Sequence, residues 1–169
     1  MNFISSVPVP LLREWFHYDA EKGTLVWKVD RQKAFAGTLA GNPDPKGYRH
    51  VGILGTYYLV HRVCWAIHYG EWPSSFLDHI NGDPSDNRIC NLRSVTRQQN
   101  NMNQKLRSTN KTGLKGVYFH RATGKYAATI CYQGRHRHLG VFADPAEAHE
   151  IYSLAAELLF GTFSREARA

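Results

Sequence analysis

The stretch at 77–92 combines an acid–histidine pair, a turn-rich loop and an asparagine–leucine pair, and more asparagines follow at 98–103. A histidine titrates near neutral pH and can take a proton from water. Mg²⁺ and Mn²⁺ prefer oxygen ligands, which aspartate and asparagine side chains supply. A divalent cation also neutralises charge on a phosphate. These residue types in one place predict a metal-dependent centre that hydrolyses phosphodiester bonds.

Four residues of this region receive specific roles. Asp78 and His79 are adjacent on a short predicted strand, so their side chains point to opposite sides unless the strand breaks there. A glycine and a proline in the following loop predict such a break. We expect His79 to be the general base and Asn91 to hold its tautomer. Asp78 and Asn100 are the expected ligands of the metal.

Each feature alone has a more ordinary explanation. An Asp-His pair before a turn is common on protein surfaces, and a single asparagine such as Asn91 often only forms a turn. A calcium-binding loop is excluded because Asn81 stands at the fourth place from Asp78 rather than the third. His61 is expected to pack or to face DNA rather than to bind metal. The remaining polar residues of the stretch are assigned to loop formation: Asn81, Asp83, Asp86 and Asn87.

Positive charge is concentrated in the second half of the chain. The 169 residues carry a formal charge of +7, and the span from Asp86 to Arg137 holds eleven Lys or Arg against a single acid. Such a region attracts a polyanion by steering and by counterion release. A basic domain without a special partner is the alternative. Five cations in the first part of this span are expected to bind DNA: Arg93, Arg97, Lys105, Arg107 and Lys111.

Other features exclude several classes of protein. The three cysteines are far apart and form no Cys-x-x-Cys pair, so neither a zinc knuckle nor a disulfide framework is expected. The N-terminus lacks the basic start and long apolar run of a signal peptide, and no apolar run reaches the thickness of a bilayer. We expect a cytoplasmic protein that has no membrane partner and no zinc.

The spacing of apolar residues predicts an α+β fold in two modules. Residues 1–104 should form a β-rich platform and a strand–loop–strand–helix unit, residues 105–112 a basic linker, and residues 113–169 a second domain. The elements expected in the first module are a helix after Pro10, a turn at 18–23, strands at 24–28, 48–54 and 57–61, a helix at 62–69, strands at 76–80 and 89–95, and a helix at 97–104.

The second domain should consist of three antiparallel strands on one helix. We expect strands at 116–120, 125–132 and 135–142, and a helix at 146–160 that is capped by Asp144. One face of the sheet packs on the helix, so the other presents Lys125, Ala127, Thr129 and Cys131. A basic cluster from Arg135 to His138 lies beside them. We expect this face to meet the major groove of DNA, with a merely solvated face as the alternative.

The motifs of the first module form one ordered series: Val60-His61-Arg62, Asp78-His79-x-Asn81-Gly82, Asp86-Asn87, Asn91-Leu92-Arg93-x-Val95-Thr96 and Asn100. This series resembles the HNH endonucleases of the phage-intron homing type, over residues 48–104. The resemblance implies a ββα-metal active site that cleaves or nicks DNA. It makes Asp78 and Asn100 the metal ligands, His79 the general base and Asn91 the residue that orients it. The third signature position holds Asn100 instead of histidine.

Residues 112–163 contain a second series: Gly116-Val117, Gly124-Lys125-Tyr126-Ala127-Ala128-x-Ile130, Leu139-Gly140-x-Phe142, Glu147-Ala148 and Ala155-Ala156 before Gly161. It resembles the plant ethylene-response-factor (Apetala-type) DNA-binding domain, which implies a sheet that docks in the major groove. Tyr118, Thr129, Cys131 and His138 depart from the plant pattern, so the plant target sequence does not carry over. The DNA-binding residues expected here are Lys115, Tyr118, His120, Arg121, Lys125, Thr129, Arg135, His136, Arg137 and His138.

We therefore expect a metal-dependent DNA endonuclease of the homing type, with sequence preference from its second domain. One active site per chain predicts that a monomer nicks one strand, whereas a double-strand break needs a dimer or a second visit. The expected cofactor is Mg²⁺ or Mn²⁺, and the expected setting is a bacterial host cell with a phage or mobile element as the source. The alternative is a non-catalytic DNA-binding regulator with a decayed nuclease site. A third option, an RNA-binding protein, has no support because the sequence contains no ribonucleoprotein-type motif.

Overall fold

A computed structural model describes residues 7–31, 33–103, 106 and 109–161, with the backbone alone at 102 and 103. The chain divides into two compact units, residues 1–96 and residues 97–169. The predicted boundary between the modules followed residue 104. The observed division falls after Thr96 and therefore assigns the helix Arg97–Asn103 to the second unit. The expectation of a mixed α and β protein with small sheets is confirmed.

In its described residues, the first unit consists of small antiparallel sheets and two α-helices. Its elements are α1 (Val9–Trp15), β1 (Phe16–Asp19), β2 (Thr24–Trp27), β3 (Asn42–Pro43), β4 (Arg49–Ile53), β5 (Thr56–Leu59), α2 (Val60–Tyr69), β6 (Phe76–His79) and β7 (Leu92–Val95). β1 pairs with β2, β4 lies between β3 and β5, and β6 pairs with β7. The long connection between β6 and β7 is the polar stretch of the sequence.

The core of this unit is formed by apolar side chains of both helices and of the strands that follow α1. Phe16 begins β1 directly after the helix, and its ring centroid lies 4.4 Å from that of Trp27 on β2. The largest side chains below 2% exposure are Phe16, Leu12, Ile53, Val51, Val60 and Val63. The β-rich platform therefore has a closed apolar core of its own, against which polar loops can be held.

Three predicted boundaries in this unit were wrong. His61 lies in α2, which begins at Val60, although the alternation at 57–61 predicted a strand. Tyr18 lies in β1, opposite Leu25 of β2, where a turn was predicted. Ile89–Asn91 form a 3₁₀ turn, so β7 begins only at Leu92. Segments of three to five residues show too little periodicity to identify the element, and tertiary pairing decides it.

The second unit contains a short helix, a three-stranded sheet and a longer helix. Its elements are α3 (Arg97–Asn103), β8 (Val117–His120), β9 (Lys125–Tyr132), β10 (Arg135–Phe142) and α4 (Pro145–Phe160). The sheet is antiparallel with β9 in the centre. Asp144 caps α4 as predicted, because its Oδ1 accepts a 2.9 Å hydrogen bond from the backbone N–H of Ala146.

One face of this sheet packs on α4. Ile130 of β9 is buried with Tyr152, Ala156 and Phe160 of the helix. Gly116 has a positive φ of 76°, and a Cβ there would collide with the Tyr152 ring. The start of β8 therefore approaches α4 more closely than any other residue type would allow. No helix in the described part of the chain is both long and apolar enough to cross a membrane.

Candidate active site

The β6–β7 hairpin positions the two residues predicted to do chemistry. Asp78 stands opposite Arg93, and His79 stands opposite Leu92. Both residues are buried, Asp78 at 7% exposure and His79 at 5%. The strand ends at His79, and the backbone N–H of Gly82 donates to the carbonyl of His79 in a turn. The predicted break after the Asp-His pair is therefore present.

Asp78 forms an ion pair with the residue opposite it. Its Oδ2 accepts hydrogen bonds from Nε of Arg93 at 3.0 Å and from Nη2 at 2.8 Å. Both side chains are largely removed from solvent, at 15% exposure for Arg93 and 8% for Asp78. Arg93 was predicted to contact DNA; in this structure its guanidinium binds the carboxylate expected to hold the metal.

The imidazole of His79 lies among aromatic rings and one amide. Its ring contacts His61 edge-to-face at 5.0 Å between centroids, and Tyr48 lies 5.9 Å away. Nε2 is 3.2 Å from Oδ1 of Asn87. Burial lowers the pKa of His79 below its usual value of 6.5, although Asn87 and the nearby aspartates act in the opposite direction. A neutral imidazole at pH 7 is the form that a general base requires.

His61 is a packing residue, in line with one of the two expectations for it. It lies on α2 at 5% exposure, and its ring contacts those of Tyr48 and His79. Burial, and next the nearby His79, lower the pKa of His61 to about 3. The His61 ring is therefore uncharged at neutral pH and supports His79 by contact.

Asn91 fastens the loop that follows His79. Its Oδ1 accepts from the backbone N–H of Asn81 at 2.9 Å, and its Nδ2 donates to Oδ1 of Asn81 at 3.0 Å and to the carbonyl of Asp86 at 2.8 Å. Its own carbonyl accepts from the N–H of Ile80 at 2.8 Å. These bonds fix the backbone beside His79. The predicted direct role of Asn91 at the imidazole stays a prediction.

Asn87 is the residue that the sequence interpretation missed. It was assigned to loop formation, yet it is 2% exposed and its side chain meets His79. Its Nδ2 donates to the carbonyl of Ser85 at 3.3 Å. The only sequence signal was its place within the Asp86-Asn87 pair of the motif series, which does not reveal a contact eight residues back along the chain.

The β1–β2 hairpin supports this loop from the platform. The Tyr18 hydroxyl donates to the carbonyl of Asn87 at 2.7 Å, and the N–H of Ile89 donates to the carbonyl of Ala20 at 3.1 Å. A Cβ at Gly23 would collide with the backbone N of Arg88. Burial raises the pKa of Tyr18, so its hydroxyl stays protonated and remains a donor. The loop therefore rests directly on the hairpin backbone.

The donor chemistry of the predicted metal ligands suits a hard cation. A carboxylate from Asp78 and an amide oxygen from Asn100 are the ligand types that Mg²⁺ accepts, with water and phosphate completing its shell. Among the described residues, no group of three or more His, Cys, Asp or Glu could hold a metal. Asn100 lies on α3 in the second unit and is partly buried. Its role as a ligand stays a prediction.

The open face of the second sheet carries six of the fifteen predicted DNA-binding residues. Cross-strand register places Tyr118 opposite Ala127, His120 opposite Lys125, His138 opposite Thr129, and His136 opposite Cys131. Residues that stand opposite each other project from the same face of a sheet. Ala127, expected to be open, is instead fully buried, because it lies on the central strand between Tyr118 and Val141.

The other Lys and Arg residues predicted to bind DNA lie in different environments. Arg135 and Arg137 stand opposite Tyr132 and Ile130, on the helix side of the sheet, and the Arg137 guanidinium lies 5.8 Å from the Tyr132 ring centroid. Lys115 is half-buried. Lys105 and Arg107 lie outside the described residues. The cations that are exposed at other positions are Arg97, Lys111 and Arg121.

Comparison with known proteins bears on the first of the two predicted resemblances. Residues 58–102 match the family profile described as HNH endonuclease. An uncharacterized HNH endonuclease of Acanthamoeba polyphaga mimivirus is 33% identical over 119 residues, which cover 70% of this chain and 61% of the relative. Protein 3.8 of Escherichia phage T7 is 29% identical over 76 residues, which cover 44% of this chain and 63% of the relative.

The chain thus spans about three fifths of the length of these two curated relatives. A solved structure concerning DNA binding and cleavage by the HNH homing endonuclease I-HmuI is 21% identical, with 82% of this chain and 79% of that chain covered. Its TM-score of 0.42 is too low to establish a shared overall fold. The matched segment contains Asp78, His79, Asn91 and Asn100, so the predicted resemblance to HNH endonucleases is confirmed over residues 58–102.

Proposed function

We propose that this protein is a metal-dependent DNA endonuclease that nicks one strand of double-stranded DNA. The observation that carries the proposal is the buried, neutral His79 at the end of β6, directly after Asp78 and inside the segment that matches HNH endonucleases. The relatives from a virus and from a phage support a viral or mobile-element source. The bacterial cytoplasm as the setting stays a prediction.

In this proposal His79 is the general base. Its imidazole takes a proton from a water molecule as the water oxygen bonds to phosphorus. One P–O ester bond breaks, and the leaving oxygen takes a proton from solvent. Burial keeps the pKa of His79 low, so the ring is unprotonated and ready before the step. Asn91 keeps the adjoining loop closed by its bonds to Asn81 and Asp86.

Asp78 and Asn100 would hold the divalent cation, Mg²⁺ or Mn²⁺. When bound, the cation supplies charge neutralisation for the phosphate and the leaving oxygen. Arg93 holds the Asp78 carboxylate in place through its two hydrogen bonds. A carboxylate with a fixed position loses less freedom on binding a ligand than a mobile one.

The second unit would supply affinity and sequence preference. We interpret its three-stranded sheet and α4 as an Apetala-type domain whose open face docks on double-stranded DNA. Support comes from the exposed Lys125, His136 and His138 on that face. Base edges in the major groove carry the sequence code, so this face would read the target.

Plasmid cleavage tests the proposal. Wild-type protein with Mg²⁺ or Mn²⁺ should convert supercoiled plasmid to the open circle, and EDTA should stop the reaction. His79→Ala should slow nicking by about 10²–10⁴-fold, the usual contribution of a general base. His68→Ala, which removes an exposed histidine at the end of α2, is the control and should cut normally. Equal rates for His79→Ala and wild type would refute the assignment, and direct conversion to linear plasmid would refute nicking.

One observation favours a second candidate, a DNA-binding regulator without nuclease activity. The Arg93 guanidinium already neutralises the Asp78 carboxylate, as it would in a site that never takes a metal. Gel retardation separates the two candidates. A regulator binds DNA at the same affinity with Mg²⁺ or EDTA and leaves the plasmid supercoiled, whereas the nuclease nicks it.

A further inference from the structure

We propose that Asn87, held by Tyr18, is a positioning residue that keeps His79 in the tautomer with its proton on Nε2, so that Nδ1 is the atom that accepts the proton from water. This inference rests on the proposed role of His79 as general base. It assigns a function to two residues, one of them on the platform and distant in sequence from the motif.

The hydrogen bonds of Asn87 determine which way its amide faces. Nδ2 donates to the carbonyl of Ser85, which can only accept a hydrogen bond. The reversed amide would place two acceptor oxygens against each other. Oδ1 therefore faces His79, and at 3.2 Å from Nε2 it can only accept. Asn87 is 2% exposed, which leaves little access for water to take over the bond.

This bond selects one tautomer of the ring. A neutral imidazole carries a single N–H, and a bond from Nε2 to an amide oxygen requires that the proton be on Nε2. The lone pair is then on Nδ1. The rings of His61 and Tyr48, with centroids 5.0 and 5.9 Å from that of His79, restrict rotation of the imidazole. The proton-accepting atom and its direction are thus set before substrate binds.

Tyr18 fixes the backbone that carries this amide. Its hydroxyl donates to the Asn87 carbonyl at 2.7 Å across 69 residues of sequence. The backbone bond from Ile89 to Ala20 and the close approach at Gly23 hold the loop against the same hairpin. A shift of this hairpin would move the Asn87 side chain relative to His79. Tyr18 therefore acts on His79 through Asn87.

Nitrogen NMR of the ¹⁵N-labelled full chain tests the tautomer without any cleavage reaction. At pH 8 and without metal, long-range ¹H–¹⁵N spectra should show a protonated Nε2 and an unprotonated Nδ1 for His79, assigned by their loss in His79→Gln. Asn87→Leu should give a mixture of tautomers. Asn87→Asp keeps an acceptor oxygen and should keep the wild-type tautomer. A wild-type proton on Nδ1, or an unchanged tautomer in Asn87→Leu, would overturn the inference.

Kinetics supply the second readout. Asn87→Leu should lower the single-turnover nicking rate by about 10–100-fold, the usual effect of losing a residue that orients a site histidine. DNA affinity in gel retardation should be unchanged, and Asn87→Asp should restore part of the rate. Tyr18→Phe should give a smaller loss in the same direction. Tyr58→Phe, which makes the same change in a ring packed on Trp72, should have no effect.

These outcomes separate this inference from the proposed function. If wild-type protein never nicks DNA, the proposed function fails, and the wild-type and Asn87→Leu tautomers still decide the role of Asn87. If the protein nicks DNA and Asn87→Leu nicks at the wild-type rate with the wild-type tautomer, only the positioning role fails. If Asn87→Leu does not fold, Tyr18→Phe and the wild-type tautomer give the answer.

Discussion

At the scale of single residues, His61 and His79 share one buried place without either carrying a charge. Burial is the largest cause of the lowered pKa of each ring, and the two rings meet edge-to-face. A protonated imidazole at either position would be cut off from the water that stabilises its charge, and it would disfavour protonation of the other ring. The site is therefore built for neutral rings, which has a consequence for stability in acid.

Acid should destabilise the fold through His61. Its pKa is about 3 in the folded protein and near 6.5 when unfolded, so between these values the unfolded chain binds more protons. The contribution is complete above pH 6.5 and is lost as pH falls toward 3, at up to about 1.4 kcal/mol per pH unit. Urea unfolding of the wild type and of His61→Gln, measured from pH 7 to 4, gives the free energy of unfolding at each pH. This free energy should fall less steeply with decreasing pH in the variant than in the wild type. Parallel curves would contradict this prediction.

The buried Asp78–Arg93 ion pair should affect the stability of the fold. Arg93→Ala leaves the Asp78 carboxylate buried without this guanidinium, which should lower the free energy of unfolding by about 3 kcal/mol. If Asp78 is a metal ligand, Mg²⁺ should restore more stability to the variant than to wild type. Arg88→Ala, at the more exposed pair with Asp86, is the control and should cost much less in urea unfolding. Equal losses in the two variants would contradict the prediction.

At the scale of elements, the β1–β2 hairpin and the loop between β6 and β7 form one assembly. The hairpin supplies the Tyr18 hydroxyl and the Ala20 carbonyl, and Gly23 lets the two backbones approach. The loop supplies Asn87 and, through it, the bond to His79. Changes in the platform should therefore reach the site by moving this hairpin.

Gly23→Ala should test that assembly. Gly23 has φ +70°, and a Cβ there would meet the backbone of Asn87 and Arg88. Gly37→Ala is matched, because Gly37 has φ +84° and nothing within 4 Å of its Cβ position. Both variants should lose about 1 kcal/mol from backbone strain. Gly23→Ala should lower the free energy of unfolding in urea by more than Gly37→Ala does, and it should also nick DNA more slowly. Equal stability of the two variants would contradict the packing.

The sequence predicted the features that residue type and local spacing determine. The strand break after Asp78 and His79 and the helix cap at Asp144 are of this kind. The contact of Asn87 with His79 and the support from Tyr18 could not be predicted, because the second joins residues 69 apart. The ion pair of Arg93 with Asp78 was not predicted, because charge counts do not distinguish a paired cation from an exposed one. The same limit applies to Ala127, which its neighbouring strands bury.

At the scale of the whole molecule, the excess charge of +7 should govern affinity for DNA. If the protein contacts six phosphates, raising the salt concentration from about 50 to 200 mM should weaken DNA binding by about 10³-fold. Arg121→Ala removes an exposed cation and should lower the slope of log affinity against log salt by about 0.9, if Arg121 meets a phosphate. His79→Ala should keep the wild-type slope. Titrations by fluorescence anisotropy measure both, and an unchanged slope for Arg121→Ala would remove it from the interface.

The bonds of the polar loop also imply an order of folding. Those between Asn81, Asp86 and Asn91 span at most ten residues, so closing them costs little chain entropy. The bond from Tyr18 to Asn87 spans 69 residues and requires the hairpin to be in place. Contacts of low sequence separation form sooner than distant ones. We expect the loop to take its shape early, and the surroundings of His79 to be completed only when the N-terminal hairpin docks.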